Sequence, residues 1–342
     1  MSTRPAPTPE PPAGLGGSRA QQAAGAAIAV ARAVPVVWIV LAVLIVWISA
    51  ASPFFLTPEG ILAYLKRAAP LAILAIGAYF VLASGEFDLS VGSLVTVVVV
   101  VAARLSDGDP ANTYPVIALL FAIGIAVGLF NGFCTTILRV PSFIVTLAML
   151  LILNGAVFLW TGGAPRGALA DNFRTIGREG ITGVPVIEEI PYSVLVLLAF
   201  AGIALWLAQG GYGRRVLAVG DNDRAAALSG ISVTRVRIAA FVLSATSAVI
   251  AGILLGGFAG VTAQVGQGLE FQAITAAVLG GTVLGGGRGS VIGAIGGALV
   301  LQALFMLLNL YSVDNAVEQT VTGLLIIGAV SLAAFRTREA QI

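Results

Sequence analysis

The sequence contains no histidine, one cysteine (Cys134) and one lysine (Lys66) among its 342 residues. Without histidines or a second cysteine, neither a disulfide framework nor a metal site built on these residues is possible. The commonest general base of enzymes is also absent. Charged residues make up only 10% of the chain, whereas soluble domains carry about 25%. The composition therefore argues against most enzymes and against a soluble fold.

The glycine-rich segment Gly280–Gly289 lacks the lysine that follows the glycines of a phosphate-binding P-loop. We therefore predict that the chain does not hydrolyse ATP by that route, and that any energy from ATP comes from a partner chain. The segment is interpreted as a helix break with a turn at Arg288. Gly280, Gly281 and Thr282 then either let helices pack closely or form a hinge.

Apolar residues are abundant, at 58% of the chain, and they occur in long runs. Each run is near the roughly 20 residues that an α-helix needs to cross a bilayer. The sequence thus predicts an all-α membrane protein with about ten transmembrane helices. The predicted spans are 34–51, 68–84, 88–104, 114–133, 142–160, 192–208, 237–260, 270–285, 289–309 and 317–335.

Arginines are concentrated in segments that share one side of the membrane if all ten spans cross. The positive-inside rule then places both termini in the cytoplasm of a bacterium, with the chain in its inner membrane. Residues 1–33 are rich in Pro, Ala and Gly, which predicts a disordered cytoplasmic tail. A transmembrane domain is predicted over 34–336, and a short cytoplasmic tail over 337–342.

The loop over 209–236 is strongly basic and carries the signals of a short helix. Asp221, Asn222 and Asp223 are good N-cap residues, and Gly230 is a natural stop. Because so short a helix is marginal alone, it is interpreted as a docking helix for a cytoplasmic subunit. The alternative is an ordinary basic loop on an anionic membrane surface.

Glu86 and Asp88 are interpreted as the only acidic residues close to the interior of an apolar region. In one interpretation Asp88 caps a half-helix that starts at Leu89, and the exposed amides face a solute pathway. In the other, both carboxylates are solvated in a tight turn at the cytoplasmic surface. Asn131 and Asn154, inside predicted spans, either line the pathway or bond neighbouring helices.

Three segments, in the same order, resemble ribose/xylose-type ABC importer permeases. Val219–Ile231 is similar to the family pattern G-x-N-x-x-A-A-x-x-S-G-I. Gly85–Ser93 is similar to G-x-D-L-S-V-G-S, which includes Ser90 and Gly92, although Glu86 departs from that pattern. Ala276–Gly289 resembles A-A-V-x-L-G-G-T-x-x-x-G-G-x-G. The resemblance covers about residues 34 to 335.

The resemblance implies a multi-subunit machine with a fold like that of the vitamin B12 importer permease. Two permease chains, identical or different, would form the pore. A cytoplasmic P-loop ATPase would hold ATP and Mg, and this chain would carry no cofactor. A periplasmic or extracellular binding protein would deliver a small-molecule sugar, and no nucleic-acid partner is implied. The residues implied to couple to the ATPase are Gly220, Asp221, Asn222, Arg224, Ala225, Ala226, Leu228, Ser229, Gly230 and Ile231.

Two other functions remain open from the sequence. An ion-coupled secondary transporter acting alone would use Glu86 and Asp88 as its buried carboxylates. A permease of the same family could instead carry nucleosides or branched-chain amino acids. Nothing in the sequence selects the sugar.

Overall fold

The computed structural model describes residues 36–313, except 165, 185 and 186, together with 317, 320, 321, 323, 324, 327 and 328. The predicted tails over 1–33 and 337–342 lie outside the described residues. Most of the tenth predicted span, 317–335, also lies outside them.

The described residues form twelve α-helices, two short 3-10 helices and one β-hairpin. The helices are α1 Val36–Ala51, α2 Pro58–Ala83, α3 Val91–Ser106, α4 Thr113–Thr136, α5 Ser142–Thr161, α6 Asp171–Arg178, α7 Tyr192–Gln209, α8 Gly211–Asp221, α9 Asp223–Leu228, α10 Val233–Ala259, α11 Leu269–Leu279 and α12 Val291–Leu310. The 3-10 helices are Pro53–Leu56 and Pro110–Asn112, and the hairpin pairs β1 Gly180–Val184 with β2 Ile187–Pro191.

Six of these helices are long and apolar enough to cross a membrane, namely α2, α4, α5, α7, α10 and α12. Helices α1, α3 and α11 are shorter and also apolar. The nine correspond to the first nine predicted spans. Helix α2 begins ten residues before its predicted start, because Pro58 opens it and the Thr57 hydroxyl caps the N–H of Gly60.

Helix α10 lies at the centre of the packing and contacts α2, α3, α4 and α6. Its closest neighbour is α4, which presents Gly124, Gly128 and Gly132 on one face, since residues four apart share a face. A Cβ atom on Gly128 would lie 2.8 Å from the carbonyl oxygen of Phe241 and from Cα of Val242. The two backbones can approach only because these positions lack side chains.

The bundle has two ends, which we call proximal and distal. At the proximal end, the Tyr212 hydroxyl of α8 donates to the carbonyl of Val236, in the first turn of α10. At the distal end, Gly177 of α6 packs on Leu254 and Gly257, in the last turns of α10. The sequence interpretation missed α6, α8 and the hairpin, all of which lie outside the long apolar runs.

Two non-helical segments enter the bundle, one before α3 and one before α11. Residues 84–90 run from Gly85, which lies against Gly220 and Gly285 at the proximal end, to Ser90 in the interior. Residues 260–268 return from the distal end of α10 and place Gly266 against Gly92. Helix α11 has only 11 residues, about 16 Å at 1.5 Å per residue, which is too short to span the roughly 30 Å hydrocarbon core.

We predict that Gly128→Val will destabilise the α4–α10 interface, whereas Gly155→Val will not. A side chain at 128 meets backbone atoms, but a Cβ on Gly155 of α5 has nothing within 4 Å. Overpacking of this kind costs about 1–3 kcal/mol. Thermal unfolding in detergent should show a clearly lower Tm for Gly128→Val only. Equal Tm values for the two variants would contradict the role given to this glycine face.

Candidate functional site

The basic loop contains two helices, α8 and α9, rather than one. Asn222 separates them, and its Oδ1 accepts a hydrogen bond of 2.9 Å from the N–H of Ala225. Gly230 adopts φ +82°, and the N–H of Ile231 donates to the carbonyl of Ala226 at 3.0 Å. The predicted short helix, its asparagine cap and its glycine stop are therefore confirmed. Its docking role stays a prediction.

Helix α9 turns one small residue inward and most of its surface outward. Ala226 is buried and Ile231 packs against the core, which fixes the helix to the bundle. Arg224 is exposed, and Leu228 is 90% exposed. The Leu228 side chain therefore makes few contacts with the rest of the described chain.

The α8–α9 junction sits directly on the backbone of two other segments. Any side chain at Gly220 would collide with the carbonyl of Ala83 and the amide of Gly287. The N–H of Gly287 itself donates to the carbonyl of Ala83 at 3.0 Å. Gly286 adopts φ +86°, a conformation open to glycine, and lies against Gly220. The junction therefore touches the end of α2 and the glycine-rich segment at once.

The glycine-rich segment combines close packing with a turn. Gly280 lies against the backbone of Gly293 on α12, so no side chain fits between α11 and α12 there. Gly281 adopts φ +94° at the end of α11, and Thr282 is buried against Gly289. Close packing is thus present at Gly280, while a hinge role for the segment stays a prediction.

Arg237, on the second turn of α10, joins α9 to the segment before α3. Its Nε lies 3.0 Å from Oε1 of Glu86 and donates to the carbonyl of Ser84 at 3.4 Å. Its Nη2 lies 3.6 Å from Oδ2 of Asp223, the first residue of α9. One guanidinium therefore connects three elements, as its several donors allow. The sequence interpretation counted Arg237 only as a basic residue.

Asp88 is buried, at 5% exposure, so the interpretation of a solvated surface turn is wrong. Its Oδ1 accepts hydrogen bonds from the N–H of Ser90 at 3.0 Å and from the Ser90 hydroxyl at 2.6 Å. Its Oδ2 accepts from the Ser244 hydroxyl of α10 at 2.8 Å. The Asn131 amide of α4 donates to the Ser90 hydroxyl at 2.9 Å. Asp88 therefore ties the start of α3 to α4 and α10.

Two details of the acidic segment also differ from the prediction. Helix α3 starts at Val91 rather than Leu89, and Ser90 occupies the N-cap position. Glu86 lies at the proximal end in an ion pair, which differs from the interior position of the first interpretation but not from the turn of the second. The sequence interpretation missed Glu270, which is buried at 6% exposure in the first turn of α11. The surface against which Glu270 packs belongs to α3, which is far away in sequence. No local sequence pattern therefore indicates that Glu270 is buried.

A cavity of about 370 Å³ lies between α3, α5 and the segment before α11. Its apolar wall includes Leu150, Val157 and Phe158 of α5. Its polar lining is Ser93, Thr96, Asn154, Gln264, Gln267 and Glu270.

Of the predicted pathway residues, Asn154 lines this cavity, and Gly92 lies against its lining residue Glu270. The hydrogen-bonded network at the start of α3 contains three others, Asp88, Ser90 and Asn131. Glu86 lies on a separate groove between α9, α10 and the α4–α5 connection. Within the described part of the chain, no cluster of three acidic or cysteine side chains could hold a metal ion.

Comparison with known proteins finds a family model and relatives that are all described as transport permeases. The family model described as branched-chain amino acid transport system / permease component matches residues 60–330. The chain is 35% identical over 297 residues to the ribose import permease protein RbsC of Bacillus subtilis, covering 85% of this chain and 90% of that protein. The autoinducer 2 import system permease protein LsrC of Klebsiella pneumoniae is 35% identical over 272 residues, covering 79% and 77%. No solved structure matches this chain.

We predict that Arg237→Gln will loosen α9, whereas Arg235→Gln will not. The first change removes the charge between Glu86 and Asp223, while Arg235, two residues earlier on α10, is exposed and forms no ion pair with the described residues. Amide hydrogen exchange over residues 223–231 should become several-fold faster in Arg237→Gln alone. The same exchange rate in both variants would show that Arg237 does not hold the helix.

Proposed function

This chain belongs to the family of permease components of branched-chain amino acid transport systems, and we propose that within this family it carries a sugar across the membrane. It is the membrane-spanning subunit of an ABC importer, and ATP is hydrolysed on a partner chain. The relatives named for ribose import align with most of this chain, and this alignment supports a sugar as the solute. The family description itself names branched-chain amino acids, so solute identity is the first property to test.

The proposed ATPase contact is α9, at the proximal end of the bundle. The exposed Arg224 and Leu228 supply a charged and an apolar contact on one short helix. Arg214, Arg215 and Arg235 are exposed on the adjoining elements. This concentration of arginines supports a cytoplasmic location of the proximal end, where the ATPase is.

Two connections would carry movement of α9 into the bundle. The first is the backbone contact of Gly220 with Ala83 and Gly287. The second is Arg237, which bonds Asp223 on α9 and Glu86 beside Asp88. Both reach the ends of residues 84–90, which lead into α3, and the first turn of α3 lines the cavity at Ser93. An ATPase that pulls on α9 would therefore act on the wall of the solute pathway.

The rest of the machine follows from the family. A second permease chain would complete the pore, and a binding protein outside the cell would deliver the solute to the distal end. The domain limits 34–336 and the cytoplasmic termini belong to this proposal as well.

We predict that Arg224→Glu combined with Leu228→Asp will greatly weaken ATPase association. The tagged chain is solubilised mildly from its native membranes, and the P-loop ATPase that co-purifies is identified and quantified. The double variant should lose most of this partner and most of the ATP-dependent ribose uptake. The charge at position 224 is reversed, and the apolar contact at position 228 becomes a charged one. Arg215→Glu, an equal charge reversal on α8, should keep both.

Retention of the ATPase by the double variant would remove α9 as the docking site. Equal losses in Arg215→Glu would shift the contact to α8. Wild-type chain that purifies without an ATPase, yet takes up solute under an ion gradient alone, would overturn the importer proposal. ATP-dependent uptake of branched-chain amino acids instead of ribose would correct the solute.

A further inference from the structure

Glu270 is a buried carboxylate that no basic side chain of the described residues pairs with. It lies in the first turn of α11, where the helix dipole favours a negative charge. One side of the carboxylate rests on the Cα of Gly92, and the cavity lies on another. The carboxylate accepts hydrogen bonds from the backbone N–H groups of Gly268 and Glu270. A group so costly to bury inside a membrane domain, at the lining of a cavity, is positioned to meet a ligand.

We propose that this cavity is the solute site, that it takes uncharged polyhydroxylated molecules, and that Glu270 makes it reject anions. The proposal rests on the transport function above and adds the site and its charge selectivity. It concerns residues of a single chain, so it can be tested without the ATPase.

The lining matches the two kinds of surface that a sugar presents. Glu270 accepts hydrogen bonds from hydroxyls, while the amides of Asn154 and Gln267 both donate and accept. Beside Asn154 on α5, Val157 and Phe158 offer apolar surface to the C–H groups of a ring. The volume of about 370 Å³ falls in the range of roughly 300–1,000 Å³ that is usual for small-molecule sites.

The charge of the lining is one-sided. Its residues include Glu270 and neither arginine nor lysine. A phosphorylated or carboxylated solute would meet like charge with no cation to offset it, and like-charge contacts are an effective way to exclude a ligand. A neutral sugar meets no such penalty. The same solute with one phosphate group added should therefore be rejected.

Gly92 acts as the positioning residue for this carboxylate. Any side chain at 92 would collide with Oε2 of Glu270 and with the carbonyl of Gly266. The N–H of Gly266 is in turn held by the Thr96 hydroxyl, at 3.1 Å. The close approach of α3 to residues 266–270 thus keeps Glu270 at the edge of the cavity.

The single native cysteine makes a direct test possible. In the purified full chain with Cys134→Ser, Gln267→Cys places a thiol in the cavity, and Leu228→Cys places one on α9 as a reference. Each is labelled with two methanethiosulfonate reagents, one ending in an ammonium group and one in a sulfonate. The ratio of the two rates at 267 should exceed that at 228 by about tenfold. Glu270→Gln should lower the ratio at 267 and leave the ratio at 228 unchanged.

Ligand protection provides the second measurement. D-ribose should slow labelling at 267 in the chain that keeps Glu270, while D-ribose 5-phosphate should not. Neither compound should affect labelling at 228. If Gln267→Cys alters the behaviour of the purified chain, Asn154→Cys on the α5 wall replaces it.

Three results would overturn the proposal: no labelling of either cavity thiol, a rate ratio that Glu270→Gln leaves unchanged, or equal protection by the neutral and the phosphorylated sugar. Because no ATPase is present, these results are separate from a failure of the transport proposal. That failure would appear as absent co-purification with the charge preference at 267 intact.

Discussion

The structure depends on hydrogen bonds to the backbone N–H groups in and next to the two non-helical segments that lie inside the bundle. Unpaired amides in a membrane cost several kcal/mol each. Side-chain oxygens meet this need in both interior segments. The Ser142 hydroxyl accepts from the N–H of Phe87 at 3.0 Å, Asp88 accepts from Ser90, and the Thr96 hydroxyl accepts from Gly266 at 3.1 Å. Without these oxygens, α3 and α11 could not begin within the bundle.

The same two segments create both parts of the candidate site. Because residues 84–90 leave the helical path, Glu86 reaches Arg237 at the proximal end while Gly92 reaches Glu270 at the cavity. The link to α9 and the wall of the cavity therefore meet at the start of α3.

The sequence predicted the parts of the fold that depend on local chemistry. Asn222 and Gly230 marked the ends of α9 because capping involves residues within one helical turn. The start of α2 was misplaced because Lys66 and Arg67 interrupt the apolar run, although the helix continues through both. Glu270 and Arg237 were missed because their roles arise from residues on other elements. Asp88 was identified, but only tertiary packing shows that it is buried.

The packing also separates a rigid part of the chain from one that can move. Helices α4 and α10 meet backbone to backbone at Gly128 and Gly132, and such contacts leave no room for sliding. The start of α3 is joined to these two helices by the polar contacts of Asp88 and Ser90 as well as by buried apolar side chains. Polar contacts can exchange partners, whereas interlocked backbones cannot. We therefore expect a displacement of α9 that is passed on through Gly220 and the side chain of Arg237 to be taken up at the start of α3, beside the cavity, while the backbones of α4 and α10 stay fixed.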